Sequence, residues 1–435
     1  MVGYKCSKIG KVYNGFGTFQ LKSVLIKNDA GDWGSEPDEN AVGIIRSTNF
    51  NNNGKLDLSD IAYRTLLPQK LEEKSLSPSD ILIERSGGSD TQPVGRVGFI
   101  SDEMAEDNLA FANFIQRISL DETVDAKFVY YCLQQMYEMG ITASMQFQTT
   151  GIRNLDWKFY LKTNLPKPTK EQQTLIANLL SKVDEAIASV QNSIAAAERL
   201  KKSLMQNLLT GKMKPDGTFR TPEEFYIDNK FGKVPVGWEV KKVQELSIQV
   251  TDGEHQTPER TETGYYLLSA RNIKNGYLSL DDVDYIPEKE LRRIQKRCNP
   301  QVGDILISCS GTIGNVCIVP DGFIGGMVRS AALVKLNSDK IEPQFAELMF
   351  QSHYLQNQMK VAVASSVQGN IFQGAIKKLR LFYPHDKQER IAITERLCLF
   401  NKEIASMQDK LIVFDRLKKS LMQNLLTGKV IVRSK

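Results

Sequence analysis

The stretch RLKKSLMQNLLTGK runs from Arg199 to Lys212 and recurs unchanged from Arg416 to Lys429. Fourteen consecutive identities at an offset of 217 residues mark a duplicated unit. Carried backwards, the same offset pairs Ile187-Ala188-Ser189 with Ile404-Ala405-Ser406, and Gln191 with Gln408. Along the stretch that leads into and through the first copy, apolar residues fall at Ile176, Leu180, Val183, Ile187, Val190, Ile194, Ala197, Leu200 or its neighbours, Leu204 and Leu208. The second copy gives Ile393, Leu397, Phe400, Ile404, Met407, Leu411, Phe414, Leu417, Leu421 and Leu425. Steps of three and four over several heptads predict a long helix with a narrow coiled-coil stripe. Pro166 and Pro168 precede the first helix and Pro384 the second, while Gly211 and Gly428 stand where a C-cap glycine belongs. Each helix would run for about 40 residues, or roughly 60 Å. A lone helix of this kind leaves its stripe exposed, so the two copies are expected to pack on each other. A dimerisation rod or the edge of a globular core would leave the same stripe.

Working outward, the flanking regions repeat more loosely. Asp80-Ile81-Leu82-Ile83 with Ser86-Gly87 matches Asp304-Ile305-Leu306-Ile307 with Ser310-Gly311. Gly95-Arg96-Val97-Gly98 follows in one and Gly314-Asn315-Val316-Cys317 in the other, each reading as strand, turn, strand. Arg46-Ser47-Thr48-Asn49-Phe50 resembles Ser269-Ala270-Arg271-Asn272-Ile273, and helices are expected at Phe128–Met139 and Pro343–Met359. Short β-rich runs broken by Gly, Asn and Asp suggest a mixed sheet with a few helices, an α+β fold. The predicted organisation is a globular domain at 1–165, a long helix at 166–212, a linker at 213–234, a second domain at 235–383 and a second helix at 384–429.

Composition narrows the function classes. The chain has 435 residues, 41% hydrophobic and 25% charged, as in ordinary globular domains. No N-terminal apolar stretch with a cleavage site and no run of eighteen apolar residues appears, so a membrane partner is not expected. Six scattered cysteines and three separated histidines (His255, His353, His385) give no metal or disulfide pattern, which fits a reducing cytoplasm. The net charge is +5, yet residues 1–165 carry −4 and residues 235–383 only +1. Charge alone would not suggest nucleic acid. Ser310-Gly311-Thr312-Ile313-Gly314-Asn315 lacks the ending of a phosphate loop and reads as a hairpin turn. Asn299-Pro300-Gln301 lacks the remaining positions of a methyltransferase motif. Catalysis and cofactors are therefore expected elsewhere than in this chain.

Five stretches stand out beside the doubled architecture: Val234-Pro235-Val236-Gly237-Trp238-Glu239-Val240, Thr251-Asp252-Gly253-Glu254-His255-Gln256-Thr257-Pro258, Leu267-Leu268-Ser269-Ala270-Arg271-Asn272-Ile273, Gly303-Asp304-Ile305-Leu306-Ile307 and the helix-closing Leu204–Gly211. Together with that architecture they resemble the specificity subunit of Type I restriction-modification systems. In the first half, Val12-Tyr13-Asn14-Gly15 stands in place of the Thr251–Pro258 stretch. The resemblance implies two target-recognition domains separated by two long helices that pack as an antiparallel coiled coil, duplicated about a pseudo-twofold. Each domain would read one half of a split, asymmetric site in double-stranded DNA, and the helices would act as a ruler between them. It implies a non-catalytic chain that docks two methyltransferase subunits and is joined by restriction-translocase subunits. S-adenosylmethionine, ATP and Mg would belong to those partners, and the target adenine would be flipped out by the methyltransferase. The rival reading is a non-catalytic coiled-coil scaffold carrying two binding domains.

Base edges are read by matched donors and acceptors, Arg on guanine and Asn or Gln on adenine. The candidates in the first domain are Arg46, Thr48, Asn49, Arg85, Ser86, Gln148, Thr149, Thr150 and Arg153. In the second they are His255, Gln256, Thr257, Arg271, Asn272, Ser310, Thr312, Ser365, Ser366, Gln368, Asn370 and Gln373, with Lys274 and Arg329 as phosphate holders. The same residue types also build turns and cap helices. Lys201 and Lys202, repeated as Lys418 and Lys419, are placed beside the coiled-coil seam as candidates for partner docking.

Overall fold

The computed structural model describes residues 4–13, 15–89, 92–149, 151–229, 232–366 and 369–432. The chain divides into two compact units, and each closes over residues distant in sequence. The first holds Met1–Gln191 with Asp409–Lys435, and the second is Asn192–Gln408. Both divisions fall inside the long helices, Lys170–Leu208 and Lys387–Leu425, of 39 residues each.

Each unit is built on a four-stranded antiparallel sheet of the same order. In the first unit the order is Leu25–Ala30, Ile115–Leu120, Ile81–Glu84, Val97–Phe99. In the second it is Ser247–Asp252, Ala331–Leu336, Ile305–Ser308, Val316–Ile318. Ile81–Glu84 and Ile305–Ser308 are buried throughout, which explains their unbroken apolar reading. A three-stranded mixed sheet stands beside each: Val42–Ile45 between Ala62–Arg64 and Ala110–Phe111, and Tyr265–Leu268 between Asp284–Ile286 and Gly325–Met327.

The helices behind the sheets differ between units. The first unit has Ala126–Glu138, capped by the Asp125 carboxylate on the Phe128 N–H at 2.9 Å. The continuous helix expected over Pro343–Met359 is instead two, Pro343–Gln351 and His353–Ala364. Ser352 is extended between them, and its hydroxyl donates to the Met349 carbonyl and accepts from the Leu355 N–H. It ends one helix and caps the next. Part of the stretch read as a linker forms a hairpin, Phe225–Asp228 with Gly232–Pro235.

Within the first unit, Ile176, Ala177 and Leu180 from the start of the first long helix share a core with Met422, Leu425 and Leu426 from the end of the second. Within the second unit, Leu208 and Leu209 share a core with Ile393 and Leu397. Start packs on end both times, so the paired helix segments run antiparallel. The stripe differs from the sequence expectation at one step. Leu200 and Leu417 are exposed, whereas Lys201 is half-buried and Lys418 buried. A spacing of 194, 197, 201, 204, 208 keeps the alternating three-four rhythm that Leu200 would break.

The helix-closing glycines anchor these ends. Gly211 sits at φ +65°, and a Cβ there would run into the Pro235 ring. Gly428 sits at φ +70° against Phe16 and Tyr13. A side chain at either place would be strained by backbone and by space alike.

Candidate nucleic-acid interface

The first-unit candidates converge on one surface. Asn49 ends the short helical turn Ser47–Asn49 and is buried. Its Oδ1 accepts the Arg46 N–H at 2.9 Å, and its Nδ2 donates to the Asp57 and Asp60 carbonyls at 2.8 and 3.2 Å. Asn49 therefore holds the turn, and Thr48 is the side chain the turn exposes. Arg46 is ion-paired with Asp60 at 3.0 Å. The neighbouring loop is tied to the turn by the Ser47 hydroxyl on the Ser86 carbonyl at 3.5 Å. Ser86 is turned inward, with its hydroxyl 2.6 Å from Asn154 Oδ1, while Arg85 is exposed beside Gln116. The hairpin Gln146–Thr149 with Ile152–Leu155 is strapped to the same loop by Gly87 N–H on the Arg153 carbonyl and Leu155 N–H on the Arg85 carbonyl. Gln148 faces Arg153 across that hairpin. Thr150 lies outside the described residues, as does the side chain of Thr149.

Beneath this surface lies a pair that pattern reading missed. The Arg96 guanidinium meets the Glu84 carboxylate at 2.8 and 2.7 Å, both buried, and donates also to the Ser47 and Phe50 carbonyls. One side chain thus fixes the sheet, the turn and the loop in one geometry.

The second unit repeats the turn. Asn272 is buried, accepts the Ser269 N–H at 2.9 Å and donates to the Ser279 and Asp282 carbonyls at 3.2 and 3.0 Å. Here the exposed side chain is Arg271, paired with Asp282 and Asp284 at 3.3 and 3.0 Å. Ala270 N–H donates to the Ser330 hydroxyl, which joins the turn to a hollow of about 410 Å³. His255, Ser310, Arg329 and Asn370 all line this hollow, together with Asp252 and Phe372. His255 Nε2 lies 3.0 Å from Asp252 and 3.0 Å from Arg297. Burial works to raise the Asp252 carboxyl, but hydrogen bonds from Arg297 and His255 outweigh it and hold the carboxyl below the usual range. Arg329 is held by its backbone on the Glu254 carbonyl, and its exposed guanidinium has no partner among the described residues.

The other candidates lie around this centre or apart from it. Gln256 and Thr257 are exposed, the former beside Arg293. Thr312 is exposed, with its carbonyl accepting from Ser308, and Lys274 is half-buried. Ser366 accepts the Asn370 N–H at 3.3 Å, and Gln373 opens the helix Gln373–Lys378. Ser365 faces a neighbouring groove instead of the hollow. Gln368 lies outside the described residues.

A family model described as the Type I restriction modification DNA specificity domain matches residues 14–199 and again 235–426. The chain belongs to that family. As a member it is a DNA-recognition component of a restriction-modification system and not a catalytic one. It is similar to the MjaVIII specificity subunit of Methanocaldococcus jannaschii, 24% identical over 83% of this chain and 82% of that one. It is also similar to the EcoKI specificity subunit of Escherichia coli K12, 22% identical over 80% and 72%. The solved S subunit from M. genitalium shares the fold, with a TM-score of 0.55, 15% identity and 97% of both chains covered. No helix among the described residues is long and apolar enough to cross a membrane.

The structure corrects one correspondence between the two specificity domains. Val12-Tyr13-Asn14-Gly15 does not take the place of Thr251–Pro258. Gly10–Tyr13 pairs with Tyr4–Ser7 as Gly232–Pro235 pairs with Phe225–Asp228, so Gly15 and Phe16 answer to Gly237 and Trp238. The counterpart of Gly253 is Gly31. Gly253 N–H bonds the Ala331 carbonyl and Gly31 N–H the Ile115 carbonyl, each at 3.1 Å. A Cβ would overlap the Met327 carbonyl oxygen in one and that of Phe111 in the other.

Among the docking candidates of this family member, Lys202 and Lys419 are exposed and Lys201 is half-buried. Lys418 is turned inward and ion-paired with Asp184 at 2.7 Å. Its charge is used inside the first unit.

Proposed function

We propose that each unit reads one half of a bipartite, asymmetric duplex sequence. The reading rests on one observation: the two units repeat the same buried asparagine turn and the same sheet but present different side chains from it. Thr48 stands where the second unit has Arg271. A common platform with unlike outward groups suits two unlike half-sites. In the second unit the readers would be Arg271 from the turn and Asn370, His255 and Ser310 around the hollow. Arg329, read from sequence as a phosphate holder, joins them because its exposed guanidinium lines the hollow, and Lys274 stays on phosphate. In the first they would be Thr48, Arg85, Gln148 and Arg153. The chain would act in the cytoplasm, docked to two methyltransferase subunits and joined by restriction-translocase subunits. S-adenosylmethionine, ATP and Mg would be bound by those partners, where adenine methylation and cleavage take place.

A map of adenine methylation across the source genome, with the gene intact and deleted, tests this. Loss of one split, asymmetric methylated motif on deletion is the expected result. An unchanged map, with the chain expressed, would overturn the proposal.

A further inference from the structure

The two ends of the duplicated helices have the same sequence but different surroundings. In the first unit, Lys418 is paired with Asp184, whose other oxygen accepts the Tyr131 hydroxyl at 2.8 Å. Met422 is completely buried there. In the second unit the position of Asp184 is taken by Asn401, so Lys201 has no carboxylate within ion-pair distance among the described residues. Met205, the twin of Met422, is only half-buried. Glu347 is a carboxyl that feels the Lys201 charge, but burial pushes it up to about 7, so it is a weak counter-charge near neutrality.

Two adjoining grooves open at this place, of about 810 and 850 Å³, and they share Met205, Gln206, Ser352 and His353. The first is lined by Lys201, Lys202 and Lys360, with Glu198 as its single carboxylate among the described residues. The second is mainly apolar, with Leu209, Ala362 and a largely exposed Val361, and Lys378 also lines it. None of the four lysines makes an ion pair among the described residues. The wall that creates this trench is His353–Ala364, and the described residues of the first unit hold no such helix. Its Ala126–Glu138 helix is followed by Gly140 and a single short turn, Ile141–Met145. The smaller hollow there includes Lys419 but also its own carboxylate, Glu138.

We propose that the trench of the second unit receives one acidic, amphipathic segment of a partner protein, with no equivalent seat on the first unit. Carboxylates would meet Lys201, Lys202 and Lys360, and apolar side chains would cover Met205 and Val361. A nucleic-acid backbone could satisfy the lysines but would leave the apolar half uncovered, so the mixture favours a protein segment. The inference rests on the chain being one subunit of a larger complex, and it adds an asymmetry that the duplicated sequence alone would not suggest.

The test uses the full chain assembled with its methyltransferase partner and a zero-length carbodiimide cross-linker, which joins amines only to carboxylates in contact. Mass spectrometry should find Lys201, Lys202 or Lys360 joined to acidic residues clustered in one partner segment. Lys202→Glu with Lys360→Glu, both at exposed positions, should abolish those links and weaken assembly at least tenfold. Lys22→Glu with Lys27→Glu, the same change of charge elsewhere, should not. Assembly without links at the trench, or protection of these lysines by duplex DNA alone, overturns the inference and leaves the family reading intact. Failure of the unmodified chain to assemble would instead count against its reading as a subunit.

Discussion

Asn49 and Asn272 show what a residue can reveal from sequence and what it conceals. The matching strings around them identified equivalent turns, and asparagine is a natural reader of adenine. Both side chains are nonetheless spent on backbone groups of their own turns. Residue type cannot distinguish the two uses, because an amide pairs equally well with a base edge and with a peptide. The same limit hid Glu84 and Arg96, which sit 12 residues apart and become informative only once the sheet brings them together. Removing one partner leaves the other charge buried, so Arg96→Met should cost about 3–5 kcal/mol, read by denaturant unfolding of the purified chain. Glu347 offers a pH signature. Its carboxyl titrates at about 7 in the fold against an ordinary 4.5. The folded state holds that proton more tightly, so stability is present at low pH and declines as pH rises from about 4.5 to about 7. The cost above that window is on the order of 3 kcal/mol. Glu347→Gln should flatten this part of the profile and raise the melting temperature at pH 8 while changing little at pH 4.5.

At the scale of elements, the long helices were the most legible feature, because a seven-residue rhythm sustained over 39 residues suits a helix seam and hardly any other structure. The buried strands read clearly for the same kind of reason. The lysine within the stripe was less legible, since a leucine stood beside it and hydrophobicity alone prefers the leucine. A charged group in a helix seam can fix register when it is paired. Asp184→Asn should therefore strand Lys418 and destabilise the first unit by about 3–5 kcal/mol. Adding Lys418→Met should recover most of that loss, and melting curves of the single and double variants would show it. The break at Ser352 had no strong sequence signal, because neither glycine nor proline marks it. Its cause is a hydroxyl that serves both helices at once.

For the whole molecule, the repeat announced two similar bodies but not which half of each helix joins which body. Periodicity describes a face and is silent about what covers it. The cores are separate: Leu82, Ile83 and Phe128 belong to clusters of the first unit, and Ile307, Leu306 and Phe345 to clusters of the second. Substitutions in one reading surface should therefore leave the other unchanged. Arg329→Ala is expected to relax the methylated motif in one half only, and sequencing of methylated adenines in cells carrying the variant would reveal a change in both halves if the units were coupled.

The composition of the first unit carries a consequence for how the protein is made. Asn192–Gln408 is contiguous, but the first unit needs Asp409 and the residues after it to cover Ile176 and Leu180. A ribosome adds about 5–20 residues per second, so the stretch emerging first waits on the order of ten seconds or more for its missing helix. The second unit can close before the first, although it is synthesised later. The nascent N-terminal half spends that interval with a greasy ledge open to water, and it is there that a chaperone would be needed.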